Sequence, residues 1–219
     1  TEMLGSFYVN DLYTTSGNLF GMGGRTASTT TGILIDGNRY EALKRFVYDR
    51  QPDGDAGLDT RFDVWFQSSS EYSNYDFTKF LEPAKRQGLG NAYYPEIPIM
   101  RLSEIYYIAC EAQIGKDNAL ALQYLNDVRD NRNLSLIQTV PDDATLLEYL
   151  VREMRKDFIG DGRTFLMHKR LFYDIYTVRG ETVPASDNIF VIPIPDDEYE
   201  FSGIEKPGNT TDNNQSELL

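Results

Sequence analysis

The chain has 219 residues, 41% of them hydrophobic, which is enough for one domain with a sizeable core. Its formal net charge is −13, which argues against a nucleic-acid partner and against direct binding to an anionic membrane surface, because both require a basic face. No run of 18 apolar residues occurs, so no membrane-spanning helix is predicted.

The first 96 residues predict a loop-rich part with short strands and one helix. Asn38 is a candidate N-cap for a helix over residues 40–49. In the acidic segment 51–63, Asp53, Asp55 and Asp59 alternate in a way that could ligate calcium. The glycine and the glutamate of an EF-hand loop are missing, so a solvated turn is the alternative interpretation.

An aromatic and polar segment follows. Residues 61–67 alternate like a strand and hold the only tryptophan, Trp65, while Tyr72 and Tyr75 lie among serines and an asparagine. Rings in polar surroundings can form a ligand platform, but they can also pack beneath their own loop. We take Trp65, Tyr72 and Tyr75 as candidate ligand-binding residues, and Trp65 is equally compatible with a place in the core.

Residues 97–132 predict two helices with a short connection. The first has Ser103 as a candidate N-cap and ends at Gly115, and the second begins near Asp117. Helices joined by about three residues pack antiparallel, as in a tetratricopeptide unit, although any helical hairpin would show this spacing. We expect Cys110 to be at most slightly exposed, and the following residues to be buried: Leu102, Ile105, Ala109, Ala112, Leu122, Leu125 and Val128.

Two further helices are predicted before an extended segment over residues 188–195. Asp142 and Asp143 cap the third helix, which ends before Gly160, and the fourth covers residues 164–173. The inner stripe of the third helix consists of Leu146, Leu147, Leu150, Met154 and Phe158.

Patterns of catalytic or metal-binding residues are missing from the sequence. His168 lies between basic neighbours, where a general base works poorly, so we expect it to be at the surface or partly buried. No zinc, Walker, dinucleotide or nucleophile-elbow motif occurs. We therefore expect neither an enzyme nor a cofactor, although an acid pair of the glycosidase type stays open because carboxylates are plentiful.

Four blocks in the second half occur in a characteristic order, and together they resemble the C-terminal region of the SusD/RagB family, the surface nutrient-binding lipoproteins of Bacteroidetes. The pattern departs from that family at Thr164, Met167 and Ser202. The matching residues are Arg101, Glu104, Ala109, Glu111 and Ala112; then Leu125, Asn126 and Arg129; then Glu153, Asp157, Asp161 and Gly162; and finally Pro193, Ile194, Pro195 and Glu198.

The resemblance implies a mainly α fold. Tetratricopeptide-like helical hairpins would pack with an irregular, loop-rich part and a few short strands. Residues 1–96 would be the loop-rich and ligand-facing part, 97–205 the SusD/RagB-like helical region, and 206–219 a polar tail. The matched residues look structural, so no ligand-binding residue is carried over from the family.

The resemblance also implies a function. Members bind a glycan, or another nutrient oligomer, on the surface of the outer membrane without catalysis and deliver it to a SusC-like TonB-dependent transporter. Attachment to the membrane would be only through a lipid anchor that is not present in this chain. The alternative is a tetratricopeptide-like protein-interaction scaffold, which would show three or more repeats of about 34 residues, whereas one clear hairpin is visible.

Overall fold

The computed structural model describes residues 3–8, 35–48, 59–68, 74–77, 79, 96–177, 179–192, 195 and 198. The described part is mainly helical with short strands, which confirms the predicted fold class. The elements in chain order are β1 (Met3–Tyr8), β2 (Ile35–Asp36), α1 (Gly37–Leu43) continued by a π-helical segment (Lys44–Tyr48), α2 (Thr60–Trp65), β3 (Phe66–Ser68), β4 (Asn74–Phe77), β5 (Glu96–Arg101), α3 (Leu102–Gln113), α4 (Asn118–Asp130), α5 (Asp143–Asp157), α6 (Thr164–Leu171), β6 (Ile175–Tyr176), β7 (Thr182–Val183) and α7 (Asp187–Phe190).

The strands form small antiparallel sheets. β1 pairs with β5, β4 lies between β2 and β3, and β6 pairs with β7. β5 runs directly into α3, so the β1–β5 ribbon fixes the start of the helical region.

α3 and α4 form the predicted helical hairpin. Gly115 ends the first helix with a φ of +76°, and Asp117 caps the second by accepting the Leu120 N–H at 3.0 Å. The prediction of Ser103 as an N-cap is wrong, because α3 begins at Leu102 and Ser103 is buried in its first turn. The helices pack closely against each other.

The predicted buried face of α4 is confirmed, whereas that of α3 is wrong. Leu125 is fully buried, but Leu102 and Ile105 are 40% and 41% exposed. On α3 the buried side chains belong instead to Ser103 and Tyr107, while the predicted burial of Cys110 is confirmed. Ala109 is half-buried and Ala112 is exposed. The Tyr107 hydroxyl donates to Asp157 Oδ2 at 2.7 Å, and this buried hydrogen bond turns the apolar row of α3 outward.

α5 follows the predicted pattern and α6 departs from it. Asp142 accepts the Thr145 N–H at 2.9 Å, and the inner stripe of α5 is buried apart from the half-buried Leu147. α6 ends at Leu171, and its buried residues are Met167 and His168. The prediction of a surface or partly buried histidine is therefore wrong, because α6 turns this side chain inward.

Three shorter predictions in other parts of the chain are corrected. Residues 60–65 form α2 rather than a strand, since Asp59 accepts the Arg61 N–H at 3.0 Å and caps the helix. The four-residue spacing of Phe62 and Phe66 suits this helix, and both rings are buried. Asn38 lies inside α1 rather than at its cap, and α7 occupies part of the predicted extended segment.

Within the described residues, two hydrophobic clusters form the core. The larger one lies among α3, α4, α5 and α6. The smaller one is aromatic and joins the π-helical segment, α2, β3 and β4, with members Val47, Tyr48, Phe62, Phe66 and Phe77. Its rings contact at centroid distances such as 4.9 Å between Tyr48 and Phe62, so the hairpin of β3 and β4 rests on a packed base.

Replacing Leu125 by alanine is expected to lower the free energy of unfolding by roughly 2–5 kcal/mol, because a fully buried leucine leaves a cavity. Chemical denaturation measures the change. The matched control is Ile108→Ala on α3, where the side chain is 57% exposed, and its effect should be within about 0.5 kcal/mol. Equal losses in both variants would contradict the packing described for the hairpin.

Candidate functional site

We call residues 66–77 the aromatic hairpin: β3, β4 and their connection. Phe66 is opposite Phe77, and Ser68 is opposite Tyr75, which also pairs with Ile35 of β2. Tyr72 belongs to the connection 69–73, which lies outside the described residues, as do Asp53 and Asp55. The hairpin therefore brings the backbone of Tyr75 close to the strand that follows Trp65.

Trp65 is the last residue of α2 and is half-buried. Its indole packs against the aromatic cluster, and the Lys79 ammonium lies 4.7 Å from a ring centroid, within the range of a cation–π contact. Trp65 thus connects the base of the hairpin to Lys79. Its contact with a ligand stays a prediction.

The N-terminal side of the hairpin is anchored by Arg61. The Arg61 guanidinium is 3% exposed and donates to Asp59 Oδ2 at 2.7 Å, to Glu153 Oε2 at 2.7 Å and to Asp157 Oδ1 at 2.8 Å. The planar fork of arginine suits several carboxylates at once. Because Glu153 and Asp157 belong to α5, these bonds tie α2 to the helical region.

The C-terminal side of the hairpin is anchored by Lys79. Its ammonium donates to the carbonyl oxygens of Asp157 and Ile159, the second at 2.9 Å, and pairs with Asp161 Oδ1 at 3.0 Å. Arg101 shares the same carboxylate, with its Nη1 2.7 Å from Asp161 Oδ2. Both sides of the hairpin therefore attach to the C-terminal end of α5.

These contacts belong to one network, which we call the buried ion cluster. Glu153 Oε1 also accepts from Arg129 at 3.2 Å and from Lys156 at 2.7 Å. Charges this far from water are stable only when each is paired and hydrogen-bonded. The members of the cluster are Asp59, Arg61, Lys79, Arg101, Arg129, Arg132, Glu153, Lys156, Asp157 and Asp161.

The cluster keeps Glu153 and Asp157 ionised. Burial is the largest single influence on Glu153 and favours its neutral form, but Lys156, Arg61 and Arg129 together outweigh it and lower the pKa to about 2. Asp157 follows the same balance: burial opposes its charge, and the neighbouring guanidinium groups hold its pKa well below the usual range. These two groups are anions at any physiological pH.

A metal site is not visible among the residues that the structure describes. No three His, Cys, Asp or Glu side chains in that part are placed to hold an ion. Asp59, which the sequence offered as a calcium ligand, has its carboxylate engaged by Arg61 through both oxygens. The buried His168 has its Nδ1 3.3 Å from the Tyr173 carbonyl oxygen, and burial lowers its pKa.

A groove lies between α3 and α6. This α3–α6 groove has a volume of about 640 Å³, and its lining includes Tyr107, Ile108, Met154, Phe158 and Leu166. Two ion pairs link the helices across it, Arg163 with Glu104 and Arg170 with Glu111. Because the lining is largely apolar, the groove is better suited to contact with an apolar surface than to catalysis.

Residues 33–215 match the sequence profile of the SusD family. The chain belongs to the SusD family. No curated protein gives a significant match.

Two solved structures from Bacteroides vulgatus share the SusD fold with this chain. One, described as a SusD-like carbohydrate binding protein, gives a TM-score of 0.59 at 16% sequence identity, covering 96% of this chain and 50% of that protein. The other, a SusD superfamily protein, gives a TM-score of 0.52 at 21% identity, covering 94% and 46%. This chain therefore spans about half the length of these two proteins.

Five of the residues that carry the SusD resemblance meet in the buried ion cluster. Arg101, Arg129, Glu153, Asp157 and Asp161 come from three separate sequence blocks and lie together at the C-terminal end of α5. Three of the four blocks thus supply charges that neutralise one another in the fold.

Sequence reasoning missed the members of the cluster that precede residue 96. Arg61 and Lys79 lie in segments with no distinctive spacing, and their partners on α5 and in the turn after it are 78 to 96 residues away. The local signal was Asp59 directly before a helix, the usual place of an N-cap. That signal predicts a helix start and says nothing about Glu153 or Asp157.

Among the described residues, none of the helices combines the length and the apolar character that a membrane crossing requires.

Proposed function

We propose that this SusD-family chain binds a glycan, or another nutrient oligomer, and passes it on chemically unchanged. Its place would be the surface of the outer membrane, held by a lipid anchor. The recipient would be a SusC-like TonB-dependent transporter. Support comes from the family match and from the similar fold of a protein described as carbohydrate binding.

The aromatic hairpin is the proposed contact surface, with Tyr72 and Tyr75 as stacking residues and Trp65 as a further candidate contact. The observation that carries this proposal is the double anchoring of the hairpin on α5 through Arg61 and Lys79. An anchored platform loses little conformational entropy when it binds, so more of the stacking energy appears as affinity. Tyrosine rings add contact area at low entropic cost.

The state of the buried carboxylates favours binding over hydrolysis. A glycosidase needs a carboxyl group whose pKa is raised so that it can donate a proton. In the described part of the chain, Glu153 and Asp157 have lowered pKa values and are enclosed by cations. Both are buried, which also keeps them from reaching a sugar.

A protein-interaction role is the second candidate, and the α3–α6 groove favours it. Ile108 and Leu166 expose 57% and 62% of their surfaces at this groove, an arrangement typical of interaction surfaces. A double substitution distinguishes the groove from the hairpin as the glycan site. Serine at both Ile108 and Leu166 should leave glycan affinity unchanged if the hairpin is the glycan site.

Alanine at both Tyr72 and Tyr75 is expected to weaken glycan binding by about 1–3 kcal/mol, the range found for stacking of planar ligands on aromatic rings. Affinity electrophoresis against soluble plant polysaccharides and mucin glycans identifies the ligand, and calorimetry then measures the affinity. The control is Phe7→Ala, which removes a ring 65% exposed on β1.

Unchanged affinity in a folded double variant would contradict the hairpin as the binding surface. Release of reducing ends from the same polysaccharides, lost on mutation of a carboxylate, would contradict the non-catalytic function.

A further inference from the structure

The connection between α4 and α5, residues 131–142, contains no helix or strand but is held in place by α4. The Asn126 side chain accepts the Ile137 N–H and donates to the Ile137 carbonyl oxygen, each at 3.0 Å. The Arg129 guanidinium donates to the Ser135 carbonyl oxygen at 2.7 Å. Because its backbone groups are already bonded, this segment loses little conformational entropy when a ligand contacts it.

The far end of the connection is held in the same way. Asn118, at the start of α4, donates to the Pro141 carbonyl oxygen at 3.3 Å and to Asp143 Oδ1 at 2.7 Å. Asn126 and Arg129 belong to the sequence blocks that carry the SusD resemblance, and in this chain both of them fix the connection. The loop is therefore a rigid surface rather than a mobile linker.

A groove with a volume of about 540 Å³ lies between this connection and the start of α5, and we call it the α4–α5 groove. Tyr149 of α5 is half-buried: it packs against the larger hydrophobic cluster and also lines the groove. The lining thus combines an aromatic ring with apolar, hydroxyl, amide and carboxylate groups. Its other members include Leu136, Gln138, Thr139, Asp142 and Thr145.

This lining has the chemistry that recognises a sugar. A sugar ring presents C–H groups on its face and hydroxyl groups around its edge, so an aromatic ring contacts the face while short polar side chains bond the edge. Tyr149 supplies the ring, and Gln138 and Thr139 are exposed to solvent. The Gln138 amide is oriented by its bond to the Leu136 carbonyl oxygen at 3.1 Å.

The charge of the groove selects among sugars. Asp142 is the only charged side chain among the described residues of the lining. Its carboxylate accepts the Thr145 N–H at 2.9 Å and the Thr145 hydroxyl at 3.1 Å, and these bonds lower its pKa, so it is an anion. An acidic sugar would meet a like charge without a compensating cation, and the net charge of −13 acts in the same direction.

We propose that the α4–α5 groove is a second contact site, distinct from the aromatic hairpin, for a neutral oligosaccharide. The inference rests on the proposed function for its part in nutrient binding. Two contact sites on one chain hold a polymeric glycan better than either does alone, because binding at the first raises the effective concentration at the second.

Chemical-shift mapping by NMR on the full chain tests where sugar binds. Oligosaccharides of xyloglucan and of galactomannan are the neutral probes, and oligogalacturonate is the acidic probe. We expect a neutral probe to shift the amide resonances of Gln138 and Thr139, and oligogalacturonate to leave them unchanged. No shift with either neutral probe would overturn the proposal, and so would an equal shift with oligogalacturonate.

Two variants test the residues assigned to the groove. Tyr149→Leu keeps an apolar side chain on the core but removes the ring, and it should weaken binding of the neutral probe about fivefold or more, the lower end of the range for stacking. Alanine at both Gln138 and Thr139, which are exposed, should weaken it about fivefold through lost hydrogen bonds. Unchanged affinity in both folded variants would overturn the proposal.

Tyr124→Leu is the matched control for the ring. Tyr124 is a half-buried tyrosine of α4 whose ring contacts Tyr106 at a centroid distance of 6.1 Å, away from the groove lining. Its replacement should leave the affinity for the neutral probe unchanged. A loss equal to that of Tyr149→Leu would show a general effect on the fold and overturn the role of the Tyr149 ring.

Affinity electrophoresis in gels that contain the neutral polysaccharide distinguishes the groove from the hairpin. Retention lost only in the Tyr72 and Tyr75 double variant would support the hairpin and overturn the groove, while retention lost only in the groove variants would do the reverse. If no polysaccharide retains the protein, the proposed function fails, and shift mapping with the short probes alone decides on the groove.

A protein contact is the other use of this surface, because Leu136 and Val140 are 40% and 48% exposed. Groove resonances that shift with protein concentration and not with sugar would show such a contact and overturn the sugar site.

Discussion

Replacing Glu153 by glutamine is expected to lower the free energy of unfolding by about 3–5 kcal/mol, the usual loss when one partner of a buried ion pair is removed. The Glu153 side chain is 1% exposed and pairs with Arg61, Arg129 and Lys156. Glutamine keeps the shape but removes the negative charge, so buried cations lose their compensation. Denaturation in guanidinium chloride at pH 7 measures the loss.

Glu148→Gln on the same helix is the matched control. Glu148 pairs with Arg152 one turn away, but both side chains are partly exposed, at 33% and 17%. Pairs of this kind contribute about 0.3–0.5 kcal/mol. Similar losses of stability in the two glutamine variants would contradict the stabilising role of the buried ion cluster.

Stability is expected to fall steeply in acid. The folded-state pKa of Glu153 is about 2, below its ordinary 4.5, so its contribution is fully present above pH 4.5 and is lost as the pH falls toward 2. A difference of this size corresponds to about 3 kcal/mol. Asp157, with its pKa also lowered, adds in the same direction, and the buried His168 begins to oppose folding below its ordinary pKa of 6.5.

Denaturation midpoints between pH 7 and 3 test this dependence. The slope of stability against pH should be shallower in Glu153→Gln, because the titrating group is gone, and unchanged in Glu148→Gln. Parallel curves for Glu153→Gln and the unmodified protein would show that Glu153 does not titrate as described.

Local signals explain why the helices of the second half could be predicted. Gly115, Asp117 and Asp142 act on backbone groups within four residues of themselves, so the sequence shows both the signal and its target. The buried face of α3 could not be predicted in the same way. It depends on a hydrogen bond from Tyr107 to Asp157, 50 residues away.

The structure around the hairpin likewise depends on contacts that the local sequence does not reveal. Residues 61–67 fit both alternation and helical spacing, and the cap at Asp59 decided for a helix. The position of Trp65 depends on Lys79, whose partners in the turn after α5 are set by the fold. Composition could indicate an aromatic ligand surface near Tyr72 and Tyr75, but it could not indicate what holds that surface in place.

The buried ion cluster also limits how this kind of protein can diversify. Its members come from both sides of residue 96, the boundary predicted from the family resemblance. Exchanging the first part for an unrelated one would leave charged groups at the end of α5 without their partners. A successful exchange has to carry Asp59, Arg61 and Lys79 along. The ion cluster thus makes the two parts of the chain interdependent, because the charges of one part are neutralised only by the other.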